Sequence, residues 1–263
     1  MQKKLWREST RDNALFLSVA MQFNNKQLGI IYEWFDNKLK ICNILGWSNA
    51  TEITALLYKN NEHIQKQIIN YFGNVDLDIE GIQINENEIT FERLPKDIPN
   101  TLKEQIIRDF QGKKVLDVEF YHLTQDGKKI TLNMENESDG TQRFFQFIGP
   151  ILDSLNKGNI LFIDELHTHF HPLMTKFLIE LFYSKLNTKN AQLIFTTHET
   201  SLLKKEIFRK DQIYFCEKLN KATHLYSLND FKISKNDDME QSYLQGEYGA
   251  VPYLKEICES MGN

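Results

Sequence analysis

Residues 160–172, ILFIDELHTHFHP, decide how the rest of the chain is read. The run ILFI is apolar throughout and too short for a helix, with Gly158-Asn159 before it and Asp164-Glu165 after it. Such a run predicts a strand buried on both faces, the environment of a parallel sheet. Asp164 and Glu165 then stand at its carboxyl end, the edge where open α/β sheets gather their ligand-binding loops. Two adjacent carboxylates there suit phosphoryl chemistry. The first holds the water shell of a magnesium ion, and the second positions or deprotonates an attacking water. His167, His169 and His171 open a competing reading, in which three imidazoles at alternate positions join the acids in a metal site of a metal-dependent hydrolase. That geometry requires the stretch to be extended and its carboxylates uncommitted.

Working outward, the flanking sequence alternates in type. VLDVEFYHLT (115–124) and KITLNMENE (129–137) read as a β-hairpin with Asp126-Gly127 at the bend. A helix is expected over about 141–156, a strand at 159–163, a helix after Pro172, a strand at 191–196, then a helix and a strand at 211–216. Strand and helix in turn imply parallel pairing through crossovers. Residues 10–72 differ: Ile53, Leu56, Leu57, Ile64, Ile68, Ile69 and Phe72 recur at helical spacing in a background of Asn, Gln and Lys. GIQINENEITFERLP (81–95) adds a strand-like segment, and Pro95 and Pro99 bracket a loop before a helix around 100–110. The chain is therefore divided into a mainly helical leading segment or arm, 1–112, and an alternating α/β lobe, 113–263, which the acid pair marks as the candidate nucleotide-binding lobe.

Two neighbouring stretches add to the acid pair. AQLIFTTHE (191–199) is another apolar strand, ending in Thr196, Thr197 and His198. A neutral histidine there can donate to a γ-phosphate oxygen while a neighbour holds its other nitrogen. Upstream, Ser138, Asp139, Gly140 and Thr141 precede the amphipathic stretch Phe144, Phe145, Phe147, Ile148. They are expected at a helix N-terminus, where unpaired amides and the helix dipole favour an anion. The phenylalanines themselves read as core rather than as a base-stacking platform.

Composition excludes several classes. With 263 residues, 41% hydrophobic and 25% charged, the chain can bury a sizeable core without staples. Cys42, Cys216 and Cys258 are odd in number and widely spaced, which argues against a disulfide framework or a zinc knuckle and favours a reducing cytoplasm. No apolar run approaches the roughly 18 residues of a membrane helix, and the N-terminus lacks a signal-peptide pattern. A net charge of −5 gives no bulk attraction to DNA or anionic lipid; Lys204, Lys205, Arg209 and Lys210 form a local basic run that reads as a solvated face.

Four apolar residues followed by Asp-Glu is the Walker B pattern. The order Ser138 turn, acid pair, His198 resembles the signature motif, Walker B and histidine switch of the ATP-binding-cassette superfamily, in its recombination and chromosome-maintenance (SMC/RecF-like) branch. More narrowly, ESDGTQRFF, LFIDELHTHFHPLMTKFLIELF, QLIFTTHETSLL, RKDQIYFCEK, LYSLNDF and YLQGEYGAVPYL resemble the bacterial AAA-type ATP-binding proteins of abortive-infection and phage-defence systems, as does RESTRDNALFLSVAMQFNN near the start. The resemblance implies an α/β, P-loop NTPase head with a mostly parallel sheet flanked by helices and a helical arm. It implies ATP and Mg2+ as cofactors, Asp164 as the metal-holding acid, Glu165 as general base, His198 as phosphate sensor, and Ser138, Asp139, Gly140 and Thr141 as the nucleotide-contacting turn. It further implies a head-to-tail homodimer, a separately encoded nuclease-like effector, and DNA or a phage component as ligand. His171-Pro172 matches the family's usual Ser-Leu-His-Pro ending of the D-loop, the segment behind the Walker B acids; His167 and His169 depart from it.

A larger departure concerns the phosphate cradle. The family's GxxxxGK[S/T] loop, whose amides surround the β-phosphate, has no counterpart in these 263 residues: Gly112-Lys113 and Gly127-Lys128 are the Gly-Lys pairs, and neither has the glycine before or the hydroxyl after. The chain is therefore expected to be the part of such an ATPase that follows the P-loop lobe, inactive by itself, with a non-catalytic dimerisation or scaffold subunit as the alternative.

Overall fold

A computed structural model describes residues 2–42, 47–88, 90–91, 94, 97–109, 114–234 and 237–252. Pro95, the Gly112-Lys113 pair with the boundary expected beside it, and Cys258 lie outside the described residues. The chain divides into two compact units, Met1–Thr197 and His198–Asn263.

The first unit holds α1 (Gln2–Ser9), α2 (Phe16–Gln22), α3 (Lys26–Lys38), β1 (Leu39–Cys42), α4 (Trp47–Asn60), α5 (Glu62–Asn74), β2 (Gly81–Glu88), α6 (Asn100–Asp109), β3 (Lys114–Leu123), β4 (Lys129–Asn133), α7 (Asp139–Lys157), β5 (Ile160–Ile163), α8 (Pro172–Tyr183) and β6 (Gln192–Phe195). The run ILFI is a strand, as its composition predicts, and it lies between two others in a parallel sheet of order β1-β5-β6. Leu39 pairs with Ile160 and Cys42 with Ile163 on one side; Ile160 pairs with Gln192 and Ile163 with Phe195 on the other. Leu161 and Ile163 are fully buried, but Ile160 and Phe162 on the other face are only partly covered, and Phe162's sheet neighbours Ile41 and Ile194 are 62% and 47% exposed, so the strand is buried on one face where its composition predicts both. The α/β architecture, with a parallel sheet flanked by helices, is thus present.

Besides the strand expected at 81–95, the mainly helical leading segment contains one that its sequence does not announce. Within a sequence whose apolar spacing reads as helix, Leu39–Cys42 leaves α3 and enters the parallel sheet. Four residues are too few to disturb a helical periodicity, and the strand exists because β5, far along the chain, supplies its hydrogen bonds.

A second, antiparallel sheet has the order β2-β3-β4. The hairpin β3–β4 pairs Leu123 with Lys129, and Gly127 sits at φ +73° in the bend, a conformation glycine adopts without a Cβ penalty. An aromatic core joins this sheet to the helices. Phe72 of α5 lies 4.9 Å from Phe144 and 5.9 Å from Phe120, and Phe120 lies 5.5 Å from Phe145, ring centre to ring centre. All four are fully buried, at about 1.5–3 kcal/mol of transfer energy each. Phe144, Phe145 and Phe147 are therefore core.

Helix α7 is bounded at both ends by local chemistry. Ser138 accepts from the Thr141 amide at its start, and Gly158, at φ +65°, closes it in the left-handed conformation. Helix α8 begins at His171-Pro172: the His171 ring accepts from the Leu173 amide, and Pro172 occupies a position where no amide donor is needed.

The second unit contains β7 (Tyr214–Leu219), β8 (Ala222–Ser227) and α9 (Met239–Leu244). Two expectations change here. Strand β7 pairs antiparallel with β8 across the Asn220-Lys221 turn, both residues at positive φ, instead of extending a parallel alternation. The helix expected before it is replaced by single turns at Thr200–Leu202 and Lys210–Gln212. Glu199 caps only the first of these, and the Lys204 carbonyl accepts from both Ile207 and Phe208, so no continuous ladder forms. The apolar residues of this stretch serve another core, centred on Ile213, Phe215, Leu228, Met239 and Tyr248. Among the described residues, no helix is long and apolar enough to cross a membrane.

Candidate functional site

The acid pair occupies the carboxyl edge of the parallel sheet, held on both sides by backbone. The Asp164 amide donates to the Cys42 carbonyl at 3.2 Å, and the Leu166 amide donates to the Thr196 carbonyl at 3.1 Å. Leu166 is fully buried and anchors the segment. Between these fixed points Glu165 adopts φ +52°, a left-handed conformation that costs a non-glycine residue about 1–2 kcal/mol. Such strain persists only where the surroundings impose it. Here the imposing group is Thr196, whose hydroxyl accepts from the Glu165 amide at 2.8 Å and donates to Asp164 Oδ1 at 2.5 Å. The Thr168 hydroxyl in turn donates to Glu165 Oε2 at 3.3 Å.

Thr196 is the residue whose part the sequence did not disclose. AQLIFTTHE places it directly after β6, but nothing local says that its hydroxyl would bridge the two acids; parallel register between β5 and β6 does that. Replacing it with valine keeps the shape and removes both bonds. Thr196→Val is expected to cost about 1 kcal/mol, read as a lower urea midpoint at unchanged slope.

The site suits a hard cation. Asp164 and the Thr196 hydroxyl offer oxygen only, the donor set that magnesium takes through its water shell. Burial pushes the thiol of Cys42, whose carbonyl accepts from the Asp164 amide, up to about 11. The histidines are arranged otherwise than a zinc site needs. Residues 164–169 form turns, with His169 as well as Glu165 at positive φ, so the extended spacing of three imidazoles is not present. His171 is engaged as the helix cap, and His169 Nδ1 lies 3.4 Å from Asp139 Oδ2. Among the described residues, no group of three or more His, Cys, Asp or Glu could hold a metal ion.

The Ser138 turn forms a separate feature of the same unit. Ser138 and Asp139 are exposed and Thr141 is buried; Ser138 Oγ accepts from the Thr141 amide at 3.1 Å and shares a hydrogen bond with its hydroxyl at 2.8 Å. The cap therefore consumes the Thr141 amide, and the first-turn amides that helix geometry leaves without an intrahelical acceptor are those of Asp139 and Gly140. The His169 carbonyl packs beside Gly140, so the turn neighbours the segment that follows the acids. The structure thus brings Asp164, Glu165 and Thr196 together and sets the Ser138 turn beside His169. His198 is the first residue of the second unit.

A family model described as "AAA domain, putative AbiEii toxin, Type IV TA system" matches residues 3–204, a span that includes the Ser138 turn, the acid pair and His198. No curated protein and no solved structure matches the chain.

Proposed function

The chain belongs to the AAA-domain family described as putative AbiEii toxins of Type IV toxin–antitoxin systems, and on that premise we propose that it is the acid-bearing part of an ATPase head of the ABC type, SMC/RecF-like in organisation. The observation that carries this reading is the Thr196 hydroxyl joining Asp164 to the Glu165 amide at the carboxyl edge of β5 and β6. It supports a division of labour between the two acids: Asp164 is turned toward a cation's water shell, while the strained Glu165 backbone directs the second carboxylate for orienting and deprotonating a water. Magnesium, when bound with ATP, supplies charge neutralisation for the phosphates. His198 reads the γ-phosphate, and the Asp139 and Gly140 amides, with Ser138, face the nucleotide of a second head bound head to tail. Closure of the two heads controls a separate effector in defence against phage, consistent with a toxin–antitoxin family; a nuclease-like effector and a DNA or phage-derived trigger complete the reading.

The sequence contains no GxxxxGK loop, so the phosphate cradle comes from a P-loop lobe outside these residues. The chain alone is accordingly expected neither to bind ATP tightly nor to hydrolyse it. Calorimetric titration with ATP and magnesium checks this, and micromolar affinity for the isolated chain would contradict it. The same observation favours a second reading, a non-catalytic dimerisation or scaffold subunit that keeps the head's surface. Adding a lobe that carries GxxxxGK separates the two: restored ATPase activity supports the first, and inertness with stable dimerisation supports the second.

A further inference from the structure

Among the described contacts, the Ser138 turn is tied to the segment behind the acid pair and to strand β3, and the two ties differ in strength. On one side His169 Nδ1 lies 3.4 Å from Asp139 Oδ2, with side chains 44% and 77% exposed. A pair that open to water is screened and contributes little. On the other side His122 Nε2, from β3, lies 2.6 Å from Glu137 Oε1, with side chains 20% and 6% exposed. Glu137 directly precedes Ser138. A carboxylate so nearly buried is costly to leave without a partner, so this second bond is much the harder to break.

The backbone around Glu137 makes the bond act on the turn. Strand β4 ends at Asn133 and a single turn, Met134–Asn136, leads to Glu137, whose amide donates to the Met134 carbonyl at 3.2 Å. The Glu137 carbonyl accepts from Gln142 Nε2 at 2.9 Å, and the Ser138 carbonyl accepts from the Gln142 amide at 3.0 Å. Glu137 is therefore joined by its backbone to the first turn of α7 and by its side chain to β3. Without the His122 bond, the link from β4 to Ser138 would follow the short connecting turn alone.

We infer that His122, acting through Glu137, is the positioning residue of the Ser138 turn, so that the turn follows the hairpin β3–β4 and not the segment behind the acid pair. This rests on the function proposed above and deepens it: whatever shifts the antiparallel sheet re-aims the surface offered to the second head. The sheet is then a place from which head closure is regulated.

Native-state hydrogen exchange on the full chain tests this without nucleotide. The reporters are the amides of Thr141 and Gln142, bonded to Ser138 Oγ and Ser138 O. His122→Phe is expected to speed their exchange about ten- to a hundredfold while the amides of β5 keep their rates. His122→Gln, which retains a donor, restores much of the protection, Glu137→Gln gives an intermediate rate, and His169→Ala leaves the reporters unchanged. Unchanged reporters in His122→Phe, equal acceleration in β5, or the same effect from His169→Ala would overturn the inference. ATP-dependent association after addition of a GxxxxGK lobe forms a second arm. Its loss in His122→Phe places the turn at the interface. Local opening with association unimpaired would retain the positioning role and overturn the placement of Ser138 at that interface.

Discussion

Gly149→Ala is expected to lower the melting temperature by about 6–12 °C, corresponding to roughly 3 kcal/mol of overpacking in a chain of this size. Gly149 lies in α7 where α4 crosses it. A Cβ built there would fall 2.0 Å from Thr54 Oγ1, 2.5 Å from Thr54 Cα and 2.7 Å from Thr54 Cβ. A rotamer change could move the hydroxyl, but the Cα can move only if the whole of α4 withdraws. Withdrawal opens the core beside the contact, where Phe145, four residues earlier on the same face of α7, and Ile148 are fully buried. The Gly149 amide also donates to Thr54 Oγ1 at 3.1 Å, and Pro150, next in the helix, has no amide to donate. The Thr54 hydroxyl donates to the Ala50 carbonyl, so one buried side chain serves both helices. Thr54→Ala tests the bond without the clash and is expected to cost about 1–3 kcal/mol for the amide left without its acceptor. Thermal melts of the two variants read both effects; a Gly149→Ala melt within about 1 °C of the parent would show that the helices separate freely, against the close crossing described.

The second large effect is on chemistry. In the assembly completed by a GxxxxGK lobe, Glu165→Gln is expected to reduce ATP turnover by about a hundred- to ten-thousandfold, the range for loss of a general base. Glutamine preserves the size of the side chain and the amide bond to Thr196, and it accepts the same left-handed backbone at similar cost, so stability should change little. ATP-driven association should persist, because the substitution removes proton acceptance and leaves the Ser138 turn and Asp164 in place. Single-turnover kinetics with sedimentation of the same samples measure the two separately. Turnover within about threefold of the parent would remove Glu165 from the role of base; loss of association together with turnover would point to a binding role.

Much of the fold could be read locally. ILFI between Gly158-Asn159 and two acids reads as a strand and is one, although only the Leu161 and Ile163 face is fully buried. The hairpin was announced by alternation on either side of Asp126-Gly127, and the start of α7 by the Ser138 turn. Those features depend on neighbours within a few residues, whose chemistry the sequence displays directly. The acid pair was legible for the same reason, and so was the start of α8 at His171-Pro172.

Other features could not be read in this way. Leu39–Cys42 carries no strand signal strong enough to interrupt the helical spacing around it, yet it is a strand because Ile160–Ile163 pairs with it. Tyr214–Leu219 looks like a further member of the alternating series, yet it pairs with Ala222–Ser227. Thr196 looks like the end of a strand, but its hydroxyl bridges Asp164 and Glu165 because β5 and β6 run side by side in register. Gly149 carries no local sign of its neighbour, yet α4 leaves no room for a Cβ there against Thr54. The sequence by itself determined that ILFI is a strand, where α7 and α8 begin, and that two carboxylates stand at a strand's carboxyl edge, because periodicity and capping act over one or two turns of chain. Only the tertiary structure decided which strands pair, what holds the acids, and which histidine is tied to the serine turn, because those contacts join residues far apart in sequence and are selected by the packing of the whole unit.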